Sequence, residues 1–183
     1  MKFPPLVSFT PTLTKLLYDL DVLRESYALH PVPPEQEVAL RRASLLKSSL
    51  FSARIEGNPL ELGDLVSTSD QDRKKLEVMN LVAAYQALPR FLNRSFMMSD
   101  LLALHKTVLA EISVEAGHLR SEDSAIFNAA GVAVYLPPAH GQIRPLLREL
   151  VSYINKTDHP APVAAGVSHI WFEKIHPFDD GNG

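Results

Sequence analysis

Fourteen prolines in 183 residues cut this chain into segments whose apolar residues recur every three or four positions. Proline interrupts helices and that period builds them, so the combination points to a bundle of proline-bounded helices. The stretch His30-Pro31-Val32-Pro33-Pro34 cannot be helical before its last proline, and Pro34 suits a first helical position. Glu35 and Glu37 then put negative charge in the first turn, where the helix dipole favours it. Ala39, Ala43, Leu46, Leu50 and Ala53 follow along one face, and Gly57-Asn58-Pro59 supplies a stop. The pattern predicts one helix over about 34–56.

The same reading predicts a short amphipathic helix carrying Leu13, Leu16, Leu17, Leu20 and Leu23, and another over about 71–91. A helix with Ser99 as N-cap continues through Leu101, Leu104, Val108 and Ile112. Two more hold Ile143, Leu146, Leu147, Leu150 and Ile154, and then Val163, Val167, Ile170 and Trp171 over about 161–175. Between 122 and 136 the pattern changes. Ile126-Phe127 and Val132-Ala133-Val134-Tyr135 flank Asn128-Ala129-Ala130-Gly131, which reads as a small hairpin. The predicted fold class is all-α, a helical bundle with one small β-hairpin.

Composition narrows what such a bundle does. Eighteen basic against 21 acidic residues give a net charge of −3, without the basic excess that displaces counterions from phosphates, so no nucleic-acid partner is expected through these residues. Cysteine is absent, which excludes disulfide scaffolds, thiolate metal sites and cysteine nucleophiles. The longest apolar run, Ala129 to Leu136, is far short of the ~20 residues a membrane helix needs. Pro4, Pro5 and Pro11 interrupt any signal-peptide core. A soluble protein of the cytoplasm, without a membrane partner, is the expectation.

The densest cluster of chemical groups is His176-Pro177-Phe178-Asp179-Asp180-Gly181-Asn182-Gly183. His176 leaves a rigid helix at its C-terminal end, where a neutral imidazole can act as a general base. Phe178 can drop into the core and pin the loop. Asp180 is a hard oxygen ligand of the kind Mg²⁺ takes alongside substrate phosphates. Gly181 and Gly183 permit close backbone approach, and exposed amides make an anion cradle. Taken alone, however, D-D-G-N-G is also ordinary turn chemistry, and a histidine at a helix end is also an ordinary C-cap.

This run resembles the signature of Fic-domain proteins, H-P-F-x-(D/E)-G-N-G-R, matched at every position through Gly183. At roughly 5% usage of each residue type, seven fixed positions coincide on the order of once per billion starting points. The similarity extends through Gly117-His118-Leu119-Arg120, Tyr135-Leu136-Pro137-Pro138 and His169-Ile170-Trp171-Phe172-Glu173-Lys174-Ile175, and covers about residues 35 to 183. It implies a helical fold that transfers AMP from ATP-Mg²⁺ to a Ser, Thr or Tyr hydroxyl of a target protein. His176 would take the hydroxyl proton and Asp180 would hold Mg²⁺. Phe178, Asp179, Gly181, Asn182 and Gly183 would form the nucleotide-binding loop, Phe178 by pinning it. The family's next residue is an arginine that grips the distal phosphates. It lies outside these 183 residues, which are therefore expected to be inactive alone, with a further helix following the loop.

A second match lies upstream. Ser52-Ala53-Arg54-Ile55-Glu56-Gly57-Asn58 resembles the family's inhibitory motif, (S/T)-x-x-x-E-(G/N), carried on an N-terminal helix. Ser52 and Glu56 are i and i+4 and share a face. Glu56 continues the stripe from Ala53, so it is expected to point inward. In the family this glutamate pairs with the missing arginine and crowds the γ-phosphate. The plainer reading is a glutamate beside a glycine C-cap on a surface helix. The hairpin residues Val132, Ala133, Val134 and Tyr135 resemble the family's flap, which holds a target segment as an added strand; a plain solvent hairpin reads the same way. His169 reads as a packed histidine, and His30, His105, His118, His140, His159, Arg120 and Glu173 receive no role.

The expected organisation is an arm over 1–33, an inhibitory helix over 34–57 and a Fic core over 58–183. The expected function is a self-inhibited protein adenylyltransferase; a homodimer is compatible with it. Alternatives are a phosphotransferase or another nucleotidyl or phosphocholine transferase on the same fold, or a non-catalytic protein-binding module. The intact G-N-G favours adenylylation over phosphotransfer.

Overall fold

The computed structural model describes residues 4–66 and 73–182. Among them six α-helices run in chain order: α1 (Pro11–Leu29), α2 (Pro34–Ile55), α3 (Arg73–Ala87), α4 (Met98–Val108), α5 (His140–Lys156) and α6 (Ala161–Ile175). An antiparallel ribbon, β1 (Ile126–Phe127) and β2 (Ala133–Tyr135), interrupts them between α4 and α5 and pairs Ile126 with Tyr135 and Phe127 with Ala133. Thus the all-α class with one hairpin is what the chain adopts.

Local chemistry explains the boundaries. Thr10 accepts the Leu13 amide with its hydroxyl, and Pro11 opens α1. α2 opens at Pro34 and closes on Gly57, whose φ of +87° returns the Gly57 and Asn58 amides to the Arg54 and Ala53 carbonyls. The start of α4 corrects the expected cap. Met97, not Ser99, holds that position, and Asp100 reaches back to accept the Met97 amide at 2.8 Å while gripping Arg94 through both oxygens. A carboxylate that serves an amide and a guanidinium together outcompetes a hydroxyl two residues away.

Two apolar clusters hold the helices. α5 and α6 bury Ile143, Leu147, Leu150, Trp171 and Ile175 against one another, with Met98, Leu101, Leu119 and Phe172 at the margin. α2 and α3 bury Leu50, Ala53 and Val78, with Leu60, Leu65 and Leu81 beside them. α3 links the clusters by packing on α2 and on α4. Two buried asparagines satisfy the exposed ends of this stack. Asn58 donates to the Lys74 carbonyl and the Glu77 carboxylate and accepts the Leu60 amide. Asn80 donates to the Val108 and Ala110 carbonyls where α4 runs out of intrahelical partners.

α1 behaves otherwise. It forms as predicted, yet none of its residues is buried, and Leu16, Leu20 and Leu23 are 59%, 47% and 66% exposed. Its leucine period is real, but only Leu13 and Leu17 are half-buried, so the stripe contributes little to stability. Leu147→Ala should cost about 2–5 kcal/mol of unfolding free energy, because Leu147 is fully buried. Leu23→Ala should stay within about 0.5 kcal/mol. Urea unfolding of the two variants beside the parent measures both.

Candidate active site

α6 delivers its last residues into a loop that cannot be extended helix. Ile175 and Trp171 anchor the helix in the core, and His176 caps it in the left-handed region at φ +46°, ψ +64°. That turn drops Phe178 inward, where it is 1% exposed, and leaves Asp179 and Asp180 at the surface. Asn182 closes the loop on itself. Its side-chain oxygen accepts the Phe178 amide at 2.9 Å, and its NH₂ donates to the Phe178 carbonyl at 2.8 Å and approaches Nε2 of His176 at 3.2 Å.

That last contact selects a tautomer. An amide NH₂ only donates, so this contact assigns the lone pair to Nε2 and the proton to Nδ1, which is buried with no hydrogen-bond partner of its own among the described residues. Nε2 is thereby the basic nitrogen. Burial depresses the His176 pKa, the nearby Arg120 cation depresses it further, and Asp179 opposes them only partly. The ring is a neutral base around pH 7.

Gly181 sits at φ +68°, and a Cβ there would come within 3.2 Å of Leu109 Cδ1 and 3.4 Å of His105 Nε2. Glycine is demanded by both backbone and space. The Gly181 amide donates to Oδ1 of Asp180 at 2.8 Å, which orients an otherwise exposed carboxylate.

Two residues that the sequence reading left without a role hold this loop. Arg120, 3% exposed, donates through its guanidinium to the carbonyls of His176, Glu122 and Pro138. Its own amide donates to the Pro177 carbonyl at 3.0 Å. His105, 4% exposed, stacks on Phe178 with ring centroids 3.6 Å apart and planes 4° from parallel. A faint signal for His105 was present. It completes the stripe Leu101, Leu104, Val108 at an i+4 step, a polar ring on an apolar face.

Ser52 and Ala53 of α2 with Glu56 just past its end, Arg73, Glu77 and Leu81 of α3, Leu109, and Asp180 with Gly181 line one cavity of about 290 Å³. The end of α2 and the signature loop therefore face each other across a cleft at the small end of ligand size. Glu56 is the C-cap of α2 and is exposed, so the expectation that it points inward is corrected. Glu56 keeps the side of Ser52 and Ala53, with which it lines the cleft, but it sits at the open end of the helix beside Gly57 with no element packed over it among the described residues, so it stays exposed. Its carboxylate still acts at a distance. It helps burial to push the Glu173 carboxyl above the usual range, against His169. Gly57 is exposed beside it. Gly183 lies outside the described residues.

Val132, Ala133 and Val134 are exposed in the hairpin, while Tyr135 is half-buried, donates its hydroxyl to the Lys174 carbonyl at 2.7 Å and lies under the Lys174 ammonium. The hairpin is thus tied to α6 just before the signature. His169 is exposed rather than packed, and it lines a second, open cleft with Ile126, Tyr135, Ile170, Glu173 and Lys174.

No group of three or more metal-ligating side chains occurs among the described residues. What Asp180 presents is a single exposed carboxylate in a cleft, and this fits a cation that takes one protein oxygen and completes its shell with water and phosphate. No helix is long and apolar enough to cross a membrane among the described residues.

Comparison with known proteins places this geometry. The Fic/DOC family model matches residues 95–183. Protein adenylyltransferase Fic of Drosophila melanogaster is 30% identical over 188 aligned positions, which take in 91% of this chain and 36% of that protein. The chain spans about a third of the length of the curated relatives it matches. A Fic family protein from Desulfovibrio desulfuricans superposes with a TM-score of 0.84 at 27% identity, over 97% of this chain and 55% of that one. Residues 134–508 of Fic-1 from Caenorhabditis elegans give 0.71 at 25%, over 93% and 53%. The signature loop, the helix that bears it and the hairpin beside it all lie within residues 95–183, the stretch of this chain that matches the Fic/DOC family model.

Proposed function

We propose that this protein is a self-inhibited adenylyltransferase of the cytoplasm, which moves AMP from ATP to a Ser, Thr or Tyr hydroxyl of a target protein. The observation that carries the reading is the His176 ring. Its basic Nε2 is held by Asn182, its pKa is depressed by burial and Arg120, and the same loop four residues on carries Asp180, which lines the cleft. The kinship with relatives named protein adenylyltransferase supports the choice of reaction.

In this scheme Nε2 accepts the proton as the target's hydroxyl oxygen forms a bond to the α-phosphorus. The bond from that phosphorus to the bridging oxygen breaks, and pyrophosphate leaves with the electron pair. Asp180 would hold Mg²⁺, which supplies charge neutralisation on the phosphates. Gly181 and Asn182, with Gly183, would bring backbone amides to the same phosphates, and Asp179 would face the nucleotide from the loop surface. Phe178 contributes by holding the loop down. The exposed hairpin strand Ala133–Tyr135 would receive the target segment and set its hydroxyl beside His176.

Self-inhibition is assigned to Ser52, Glu56 and Gly57. Support comes from the cleft in which Ser52 and Glu56 face Asp180 and Gly181, because a carboxylate there repels a triphosphate entering the same space. A homodimer belongs to the same proposal, with the uncovered leucines of α1 as its candidate surface.

Intact mass measured after incubating the full-length protein with ATP and Mg²⁺ tests the reading. Glu56→Gly should speed self-modification about tenfold or more, the scale of losing one charged contact. The adduct should weigh one AMP. Adding His176→Ala should slow that transfer by roughly 10²–10⁴ while leaving nucleotide affinity within about twofold. A flat response to Glu56→Gly with ATP bound rules out the brake, and an adduct of another mass changes the donor.

The pH dependence has a definite sign. A depressed imidazole pKa keeps the base deprotonated to lower pH, so the acid limb of the transfer rate should lie below the ordinary histidine range. A limb at or above that range would contradict the assigned environment of His176.

A further inference from the structure

We propose that His105 is a positioning residue that sets the height and angle of the Asp180–Gly181 segment, by bridging it to the turn at Gly117. The inference follows from three contacts on one buried ring. The Gly117 amide donates to Nδ1 at 2.9 Å, and a backbone N–H can only donate. Nδ1 is therefore the acceptor and Nε2 carries the hydrogen, which it donates to the Asp180 carbonyl 3.0 Å away. One face of the ring lies flat on Phe178. Nε2 also marks the space that a side chain at position 181 would enter.

Both polar atoms of the ring are thus spent on backbone, at positions 12 and 75 residues away in sequence. Neither bond depends on a flexible side chain. Because the bond is to the main-chain carbonyl of Asp180, the carboxylate stays free to face the cleft. His105 acts through this residue and touches no reacting atom. The effect on nucleotide rests on the transfer reading above; the effect on the loop does not.

The two bonds separate by substitution. Gln at 105 can keep a donor near the place of Nε2, and Asn can keep an acceptor near that of Nδ1. Amide ¹H–¹⁵N spectra of full-length protein carrying Glu56→Gly should show Gly181 and Asn182 near their parental positions in His105→Gln. In His105→Asn they should move as far as in His105→Ala. The Mg²⁺ concentration needed for half-maximal ATP binding should rise by ~10–100-fold in Asn and Ala, the scale seen when residues supporting a metal ligand are lost, and stay within about twofold in Gln. Equal behaviour of Gln and Asn overturns the proposal. Ring ¹⁵N shifts of the parent give a decision that survives misfolding of any variant. A protonated Nε2 with bare Nδ1 supports the bridge, and the opposite tautomer overturns it. If the parent binds no ATP with Mg²⁺, the transfer reading fails, and the amide and tautomer results still decide on His105.

Discussion

The buried guanidinium of Arg120 is the contact on which the site depends. Taking a cation out of water costs several kcal/mol unless its donors are met. Here they are met by the carbonyls of His176, Glu122 and Pro138, with Asp123 and Asp179 close enough to favour the charge. Those three carbonyls belong to the end of α6, the entry to the hairpin and the exit from it. Lysine has one head group and no planar fork, so it cannot reach three carbonyls in these directions. One side chain therefore fixes the base of the hairpin relative to His176, and with it the place where any docked strand would lie.

Phe178 plays the complementary apolar part. Sandwiched between His105 and Phe172, it converts the stability of the α5–α6 core into stiffness of the loop above it. Asn182 then locks the loop end to its beginning. The result is a short segment that is mostly backbone yet has few degrees of freedom, the condition for binding phosphates through amides without a large ordering cost.

Much of this was legible in the chain. Pro11 and Pro34 mark the starts of α1 and α2, Gly57 marks the stop of α2, and the i+3, i+4 steps of Ile143 to Ile154 and of Val163 to Trp171 mark α5 and α6. Local rules govern such features, so local sequence reports them. The signature residues were legible as a string. The residues that hold the string were not, because Arg120 and His105 act across 56 and 75 positions through backbone atoms, which leave no trace in composition. Ser99 was misjudged as a cap for a related reason: the competing carboxylate of Asp100 is itself held by Arg94. Glu56 keeps the face of Ser52 and Ala53, but that face opens on a cleft at the helix end rather than on packed core, so the stripe does not bury it. The leucines of α1 show the reverse case, in which a clean period gives the right helix while Leu16, Leu20 and Leu23 stay exposed.

His176 occupies a left-handed backbone position with an L side chain attached. Such a conformation costs on the order of 1–3 kcal/mol and persists only where neighbours over-determine it, as Asn182 and Arg120 do here. Glycine would relax that strain while removing the imidazole. Position 176 is thus a place where the most comfortable residue for the fold and the residue with any chemistry to offer are different amino acids. Drift toward a sturdier protein, left to itself, would pass through the loss of that imidazole.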